Sequence, residues 1–564
     1  MPIYTGITIG PIDRTIENAR FTRELWASSY FFSYLMHQLA LKLSALSDCQ
    51  VILPYLDRPA PDDAPLVEAG PPVEAEPMAK TGAGLYPDRI ILHHTGAAPD
   101  IQSIRNAAKE VIKGVAAKIA LHLKHHQEQS APSQDEVQKQ LFQFLQLNAQ
   151  QVDIPSGQNV ILTISPFLDA IELAPKMPDI APASNHLAHF FNLVNARTKK
   201  DTSFLIQDGF GQGKRFDSLI EIAARELRDS KPTVFDDLIA KHFKAANIGD
   251  DQAEAELIAD LEASFGDKFL HLHKHLAIVH ADGDYLGKVL ECIGEEPGQI
   301  EVFSKFMFNF AQDAAQLISS YGGVPVYIGG DDLFFMAPVR RIASDDAGKK
   351  TPGTSPHLFK LLDVLDKKFQ EHYEKFRQNY PQQLKKLEEQ PALSFGVSIA
   401  HYKTPLYESI RMSRDALKAA KKATDKHTLA LRLGTHSGRM LSIELPMGNH
   451  PPLWESFLHT LSEYLVIGNK GDEASFGNAL ARRLVLLDPL FEYMRYQREW
   501  SLRLVFENLI KQNAQFLGQG QAFIQYLELL YSEECRKVYP KLQPSALVLA
   551  LVRLIHFYNR SNQR

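Results

Sequence analysis

The sequence predicts an α+β protein, and three observations carry that reading. Residues 271–440 run strand, helix, strand, strand, helix, strand, the ferredoxin-like βαββαβ order. Residues 1–180 mix strand-like and helix-like stretches, whereas 181–270 and 441–564 show helical periodicity almost throughout. At 564 residues the chain has room for three or four domains, and these four spans are the divisions we expect. A hydrophobic content of 45% and a charged content of 23% are those of a soluble globular protein. The net charge of −6 argues against a broad electrostatic grip on nucleic acid, so any RNA contact would be local or shared with partner subunits. Cys49, Cys292 and Cys535 lie too far apart for a Cys-x-x-Cys metal site or a disulfide framework, and they fit a reducing cytoplasm. No basic segment followed by an apolar core opens the chain, so no signal peptide is expected. The apolar stretch from Ala546 to Tyr558 is interrupted by Arg553 and His556; it reads as a buried helix, and no membrane partner is expected.

The elements follow in order. Residues 3–9 alternate weakly as a strand that Pro11 ends, and a long helical pattern runs from Ile16 to about Leu46. Val51-Ile52-Leu53 is a second strand, stopped by Pro54. Six prolines between Pro59 and Pro77 mark a flexible excursion. Arg89 to Leu92 returns to strand, a helix covers about 101–126, and Val160 to Ile164 reads as a further strand. Within the helical span, Gly209-Phe210-Gly211-Gln212-Gly213-Lys214 looks like a phosphate loop, but Arg215 stands where Ser or Thr would be needed, and an ordinary Gly-rich turn is the better reading. The second unit opens with strand 276–281 and a helix at 300–321 that presents Phe303, Phe306, Met307 and Phe310 on one face. A hairpin around Gly329-Gly330, a helix at 357–379, a strand at 392–400, a helix at 406–423 and a strand from Leu429 to Leu433 complete it.

The chemistry sits at two acidic strand ends. Gly329-Gly330-Asp331-Asp332 lies between two apolar runs, and Asp282-Gly283-Asp284 follows another. Adjacent aspartates repel each other unless a cation sits between them, and the glycines allow a tight turn and a close phosphate. Two acidic pairs at the strand ends of one βαββαβ unit suit phosphoryl transfer with two Mg²⁺ or Mn²⁺ ions; the plainer reading is that both pairs are turn residues. Asp282 and Asp331 are the expected bridging ligands, with Asp284 and Asp332 beside them and the Gly283 carbonyl accessible. The amides of Tyr285-Leu286-Gly287-Lys288, together with the Lys288 ammonium, are placed to hold a triphosphate. Lys421 and Lys422 either contact that triphosphate or complement the dipole at their helix end.

The Ala281-Asp282-Gly283-Asp284-Tyr285-Leu286-Gly287-Lys288 and GGDD segments, with the run from Pro391 to Ile410 downstream, resemble the catalytic palm of the large subunit of type III CRISPR–Cas effector complexes. Residues Ile7 to Pro11, Ala19-Arg20 and Thr22 to Tyr30 resemble the first palm of the III-B (Cmr) branch. Pro87-Asp88-Arg89 looks like a variant of that palm's Pro-Asn-Arg segment, and His436-Ser437-Gly438 fits the end of the second palm. The resemblance implies two ferredoxin-like palm (cyclase) domains, a helical middle domain and a helical C-terminal domain. It implies ATP as substrate, 3′–5′ cyclic oligoadenylate as product, and activation by target RNA paired with a guide RNA among other Cmr subunits. By position, Asp282, Asp331 and Asp332 would be catalytic and bind metal, Gly329 and Gly330 would shape the nucleotide site, and Ser28, Ser29, Tyr30 and Arg89 would lie on the first-palm side.

The sequence also departs from the family. It holds no His-Asp dipeptide and no domain ahead of the first palm, so the family's DNA-nuclease domain and DNase activity are not expected. The four-cysteine zinc site is missing, and no zinc is expected; His271, His273 and His275, and His122, His125 and His126, read as solvated rather than metal-bound. A member of this kind acts through its product alone, and that product need not be a ring: AMP transfer to an adenine-bearing acceptor such as S-adenosylmethionine stays open. So do a free-standing cyclic-nucleotide synthase and an inactive scaffold.

Overall fold

The computed structural model describes residues 1–56, 81–96, 101–126, 131–172, 185–194, 204–205, 216–242, 251–341, 357–423, 426–434, 440–448, 450–466, positions scattered between 483 and 493, 502–511 and 520–560. The Gly209–Lys214 loop, the proline-rich excursion and His436-Ser437-Gly438 lie outside the described residues.

Two sheets organise the chain. The first has the order β2-β3-β1-β4, with β1 at Ile3–Gly10, β2 at Cys49–Leu53, β3 at Arg89–His94 and β4 at Gln146–Asp153, all antiparallel. Helices α1 (Ile12–Glu17), α2 (Thr22–Ser44), α3 (Ile101–His126) and α4 (Gln134–Phe144) supply the crossovers, which gives a βαββαβ unit. The chain turns at 18–21, so the expected continuous helix from Ile16 is two helices. α2 is buried along most of its length, from Leu25 through Trp26, Tyr30 and Phe31 to Leu43, because it lies between the two sheets rather than on an outer surface.

One expectation fails here, and one strand has no signal in the sequence. β4, QLNAQQVD, is polar and forms a half-buried edge that pairs with β1. Val160–Ile164, expected as a strand, begins helix α5 (Val160–Glu172). Val160, Ile164 and Leu168 recur at helical spacing and are buried, and a Cβ at Gly6 would come within 2.7 Å of Ile164, so the helix lies directly on β1.

The second sheet has the order β10-β9-β8-β5-β7-β6. Its core is β5 (His275–Asp284), β6 (Val324–Gly329), β7 (Asp332–Pro338) and β8 (Ala392–His401), again in ferredoxin-like order. Helix α6 (Pro297–Tyr321) joins β5 to β6, and α7 (Leu358–Arg377) joins β7 to β8. Helix α8 (Leu406–Lys422) then leads to β9 (Thr428–Gly434), parallel to β8, and β10 (Met440–Pro446) closes the edge. β10 corrects the expectation that everything from 441 is helical: Leu441, Ile443 and Leu445 alternate inward. Helices at Leu453–Val466, Gly520–Leu530 and Pro544–Asn559 pack beyond it. Among the described residues no helix is long and apolar enough to cross a membrane.

Candidate active site

Sheet register brings the two acidic segments together. β5 pairs with β7 up to Ala281 opposite Leu333, so Asp282 emerges beside the Gly329–Asp332 pair that closes the hairpin. Gly330 takes φ +73°, which a side chain would strain, and it turns the chain so that Asp331 points back toward β5. Asp331 and Asp282 meet carboxyl to carboxyl. Gly283 makes this possible: a Cβ there would lie 2.8 Å from the Asp331 Cβ and 2.5 Å from Leu286. Gly329 is needed for a different reason, since the Tyr327 hydroxyl occupies the space its Cβ would take.

Electrostatics follow from this crowding. Asp331 is held well above the usual carboxylate range by burial and then by the Asp282 charge, with Lys421 opposing. Asp332, an exposed residue at the start of β7, is pushed up by lost hydration at its inner side, then by Asp331, Asp282 and Asp88. A pair of carboxyl groups that cannot both ionise comfortably is a place where a cation is favoured.

Asp284 behaves differently. It is fully buried, it accepts from Ser394 Oγ at 2.6 Å and from the His427 amide at 2.9 Å, and Lys421 Nζ stands 2.9 Å from its other oxygen. The same ammonium lies 2.9 Å from Asp282 Oδ2 and donates to the Gly283 carbonyl at 2.6 Å. Burial works against the Lys421 charge, but Asp282 and Asp284 override it and raise its pKa. Lys421 arrives there because α8 lies on the backbone of β8: a Cβ at Gly396 would come 2.2 Å from the Leu417 nitrogen. Asp284, expected as a metal ligand, is therefore turned inward as the anchor of Lys421, and the Gly283 carbonyl is engaged by the same ammonium. Among the described residues no group of three or more His, Cys, Asp or Glu side chains forms a ready-made metal cluster.

The remaining expected residues are dispersed. Gly287 is exposed with open space around it. Lys288 pairs with Glu389 and lies over the Tyr285 ring at 5.3 Å. Ser28 and Ser29 are 1% exposed and Tyr30 is sealed: Ser28 Oγ donates to Leu25 O within its own helix, Ser29 Oγ donates to Val326 O of β6, and Tyr30 stacks on Trp26. These three pack the seam between the sheets and do not face an open cleft, so the expectation that they line a nucleotide site is corrected. Arg89 is bound to Asp169 at 2.6 Å and to Glu172 at 3.1 Å, both on α5. His122, His273 and His275 are buried rather than solvated; His273 pairs with Glu226 at 2.9 Å.

Sequence reasoning missed three neighbours of the site. Asp88 pushes up Asp332 and Tyr327 across the seam, and is itself pushed up to about 6 by burial, with Arg89 opposing. Its signal was the Asp in Pro87-Asp88-Arg89. Tyr327, two residues before the turn, carries no polar pattern that would single it out. Lys426, at φ +48°, lies over the Tyr285 ring at 4.7 Å, and no spacing in the sequence points to it.

Twin βαββαβ units, one carrying paired carboxylates at its strand ends, define a two-palm protein. Residues 4–121 match the family model described as CRISPR-associated protein Cmr2, N-terminal, and residues 275–430 match that of the Cas10/Cmr2 second palm domain. Both matches are to models of the Cas10/Cmr2 family, and together they take in just under half of the chain. It is 26% identical over 225 residues to the CRISPR system Cmr subunit Cmr2 of Pyrococcus furiosus, an alignment covering 36% of this chain and only 23% of that protein. In fold it is similar to a chain of the type III-B Cmr-beta complex bound to cognate target RNA, with a TM-score of 0.56, 12% identity, 99% of this chain covered and 83% of the other. The apo Cmr-beta structure gives a TM-score of 0.53 at 12% identity, covering 90% and 77%.

Proposed function

We propose that this chain is the target-RNA-activated nucleotidyltransferase of a cytoplasmic type III-B CRISPR complex, converting ATP into 3′–5′ linked cyclic oligoadenylate. The observation that carries the reading is the meeting of Asp282 and Asp331 at the strand ends, where a Cβ at Gly283 would lie 2.8 Å from the Asp331 Cβ and where burial, then the Asp282 charge, raises Asp331. The donors fit Mg²⁺ or Mn²⁺: they are hard carboxylate oxygens at a site where like charges crowd. Asp282, Asp331 and Asp332 would hold the metal, while Asp284 keeps Lys421 in place. When bound, such ions neutralise developing phosphate charge and favour the attacking oxygen.

The chain's own residues do the rest. Gly283 and Gly330 set the approach of Asp331 to Asp282. Lys426 and Lys288, the latter paired with Glu389, flank the Tyr285 ring beside the acidic segment and would be available to a triphosphate. A 3′-oxygen then bonds to an α-phosphorus, and pyrophosphate and a proton leave. The guide RNA, the target RNA and other Cmr subunits enter as partners, in keeping with the target-RNA-bound Cmr-beta assembly whose fold this chain shares.

A second reading is favoured by one observation. The first-palm side carries Asp88; its neighbours Glu172 and Asp13 are already paired, with Arg89 and Arg414, which leaves the Asp88 carboxyl as a group a cationic acceptor could meet. AMP transfer to S-adenosylmethionine meets that chemistry. The test is incubation of the assembled complex with labelled ATP and Mg²⁺, with and without target RNA, and with S-adenosylmethionine in parallel. Mass spectrometry separates ring, linear chain and conjugate. Activity that survives Asp331→Ala with Asp332→Ala refutes the site.

A further inference from the structure

β6, the strand that delivers the GGDD turn, is the edge of its sheet, yet that edge is occupied by the first palm. Gly84 bridges to Tyr327 in parallel, and the Ile328 amide donates to Gly84 O at 2.9 Å. One residue earlier the ladder slips: Pro325 faces Phe335 and Tyr327 faces Phe334, leaving Val326 as an extra, bulged residue. Val326 is buried, so its carbonyl needs a partner from outside the ladder. Ser29 Oγ, from α2, is that partner at 2.9 Å.

The segment that meets β6 is itself held to α2. The Tyr86 amide donates to Ser33 Oγ at 2.7 Å, and Trp26 Nε1 donates to Gly82 O at 2.7 Å. A Cβ at Gly84 would come 3.0 Å from Ser33 Cβ, so a side chain there would force this segment and the helix apart by a few tenths of an ångström. The three residues before Gly329 are thus fixed by the first palm at one carbonyl and one amide. These two bonds hold the stretch where the ladder to β7 is interrupted, just ahead of the turn that sets Asp331 against Asp282.

We infer that Ser29 and Gly84 are positioning residues: the first palm sets the GGDD turn through hydrogen bonds to β6, and a change in first-palm packing reaches the carboxylates by this seam. The inference rests on the reading that GGDD is the reaction centre. Ser29→Ala and Gly84→Ala test it from the two sides of the seam, with Ser44→Ala as control. Ser44 lies on the same helix and donates to Leu41 O, away from β6.

Hydrogen exchange on the metal-free chain gives the first readout. Both seam variants should exchange faster over 324–333 while strand 392–401 stays as in the parent. In the assembled complex with ATP, Mg²⁺ and target RNA, kcat should fall by roughly 3- to 30-fold, the effect of leaving one buried carbonyl unpaired. The Mg²⁺ concentration for half-maximal activity should rise, and KM for ATP should stay within about twofold, because a misplaced ligand carboxylate weakens catalysis rather than nucleotide binding. Ser29→Thr, which keeps the hydroxyl, should recover most of kcat.

Unchanged exchange over 324–333 in both variants overturns the inference. So does a rise in KM alone, which would return Ser29 to the nucleotide side. If Ser29→Ala fails to assemble, Gly84→Ala supplies the same readings by itself. Faster exchange together with full activity in Asp331→Ala would leave the seam standing and refute the site instead.

Discussion

Asp282 and Asp284 are two residues apart on one strand, and replacing each by alanine should have opposite consequences. Asp284 is sealed and holds three donors: Ser394 Oγ, the His427 amide and Lys421 Nζ. Alanine there strands the first two, while Lys421 keeps Asp282 at 2.9 Å and the Gly283 carbonyl at 2.6 Å. Each hydrogen bond to a buried charged acceptor is worth about 1.5–3 kcal/mol, so Asp284→Ala should destabilise the second palm by about 3–5 kcal/mol. Asp282 is one-third exposed and holds only a share of Lys421, so Asp282→Ala should cost no more than about 1 kcal/mol of stability while removing activity. A chain of several domains does not unfold in one transition, so the assay is hydrogen exchange resolved over β5, β8 and β9, run beside product formation. Asp284→Ala should deprotect β8 and β9; Asp282→Ala should leave them as in the parent. If Asp284→Ala instead preserves protection and only raises the Mg²⁺ requirement, Asp284 is a metal ligand and its assignment as the Lys421 anchor is wrong.

Other expectations follow from the same geometry. Asp331→Ala with Asp332→Ala should reduce product formation by roughly 10³-fold or more in a chain that still assembles, measured by mass spectrometry of the products. Gly283→Ala should push Asp331 off Asp282 and cost on the order of 10²-fold in kcat, because the added Cβ would sit 2.8 Å from Asp331; unchanged kcat would mean the two carboxylates need not meet. Acid should destabilise the fold as pH falls below the ordinary histidine value. Burial lowers His37 and His122 to about 4 and His275 and His357 to about 3, so the unfolded chain takes up these protons first. Each then contributes stability that is full above the ordinary histidine value, near 6.5, and is lost at about 1.4 kcal/mol per pH unit as pH falls toward the folded value. His427, raised by Asp366 and Asp284 against its burial, and the carboxyls of Asp88, Asp331 and Asp332, raised first by lost hydration, work the other way and are outnumbered by the lowered histidines. Thermal scans from pH 7 to 5 should show a falling midpoint, and a flat profile would refute the burial argument.

The second palm was legible because its signals agree. Apolar strands end in Asp-Gly-Asp and GGDD, and a helix with a clear apolar face stands between them. The failures have physical causes. Val160-Ile161-Leu162-Thr163-Ile164 is β-branched and reads as a strand, but burial of Val160, Ile164 and Leu168 against β1 outweighs that propensity. β4 hides because an edge strand with both faces half-wet has no apolar alternation. β10 does alternate, and it was absorbed into the helices that follow it. Of the site, Asp282, Asp331 and the glycines could be placed from local sequence, whereas Lys421 could be placed only as one of two alternatives. Asp284 turning inward depends on Ser394, 110 residues away, and the seam role of Ser29 depends on a bulge at Val326, 297 residues away. Contacts of that separation leave no periodic trace.

Lys421 has a consequence for how the protein is made. A folding domain that gathers aspartates at two strand ends would ordinarily wait for a divalent ion to offset their repulsion. This one brings its own counter-ion, tethered to α8 and delivered by the packing of Gly396 against that helix. The palm should fold without waiting for a divalent ion. Chelation should therefore silence it reversibly without unravelling it, and the free magnesium of the cell should govern its output rather than its lifetime.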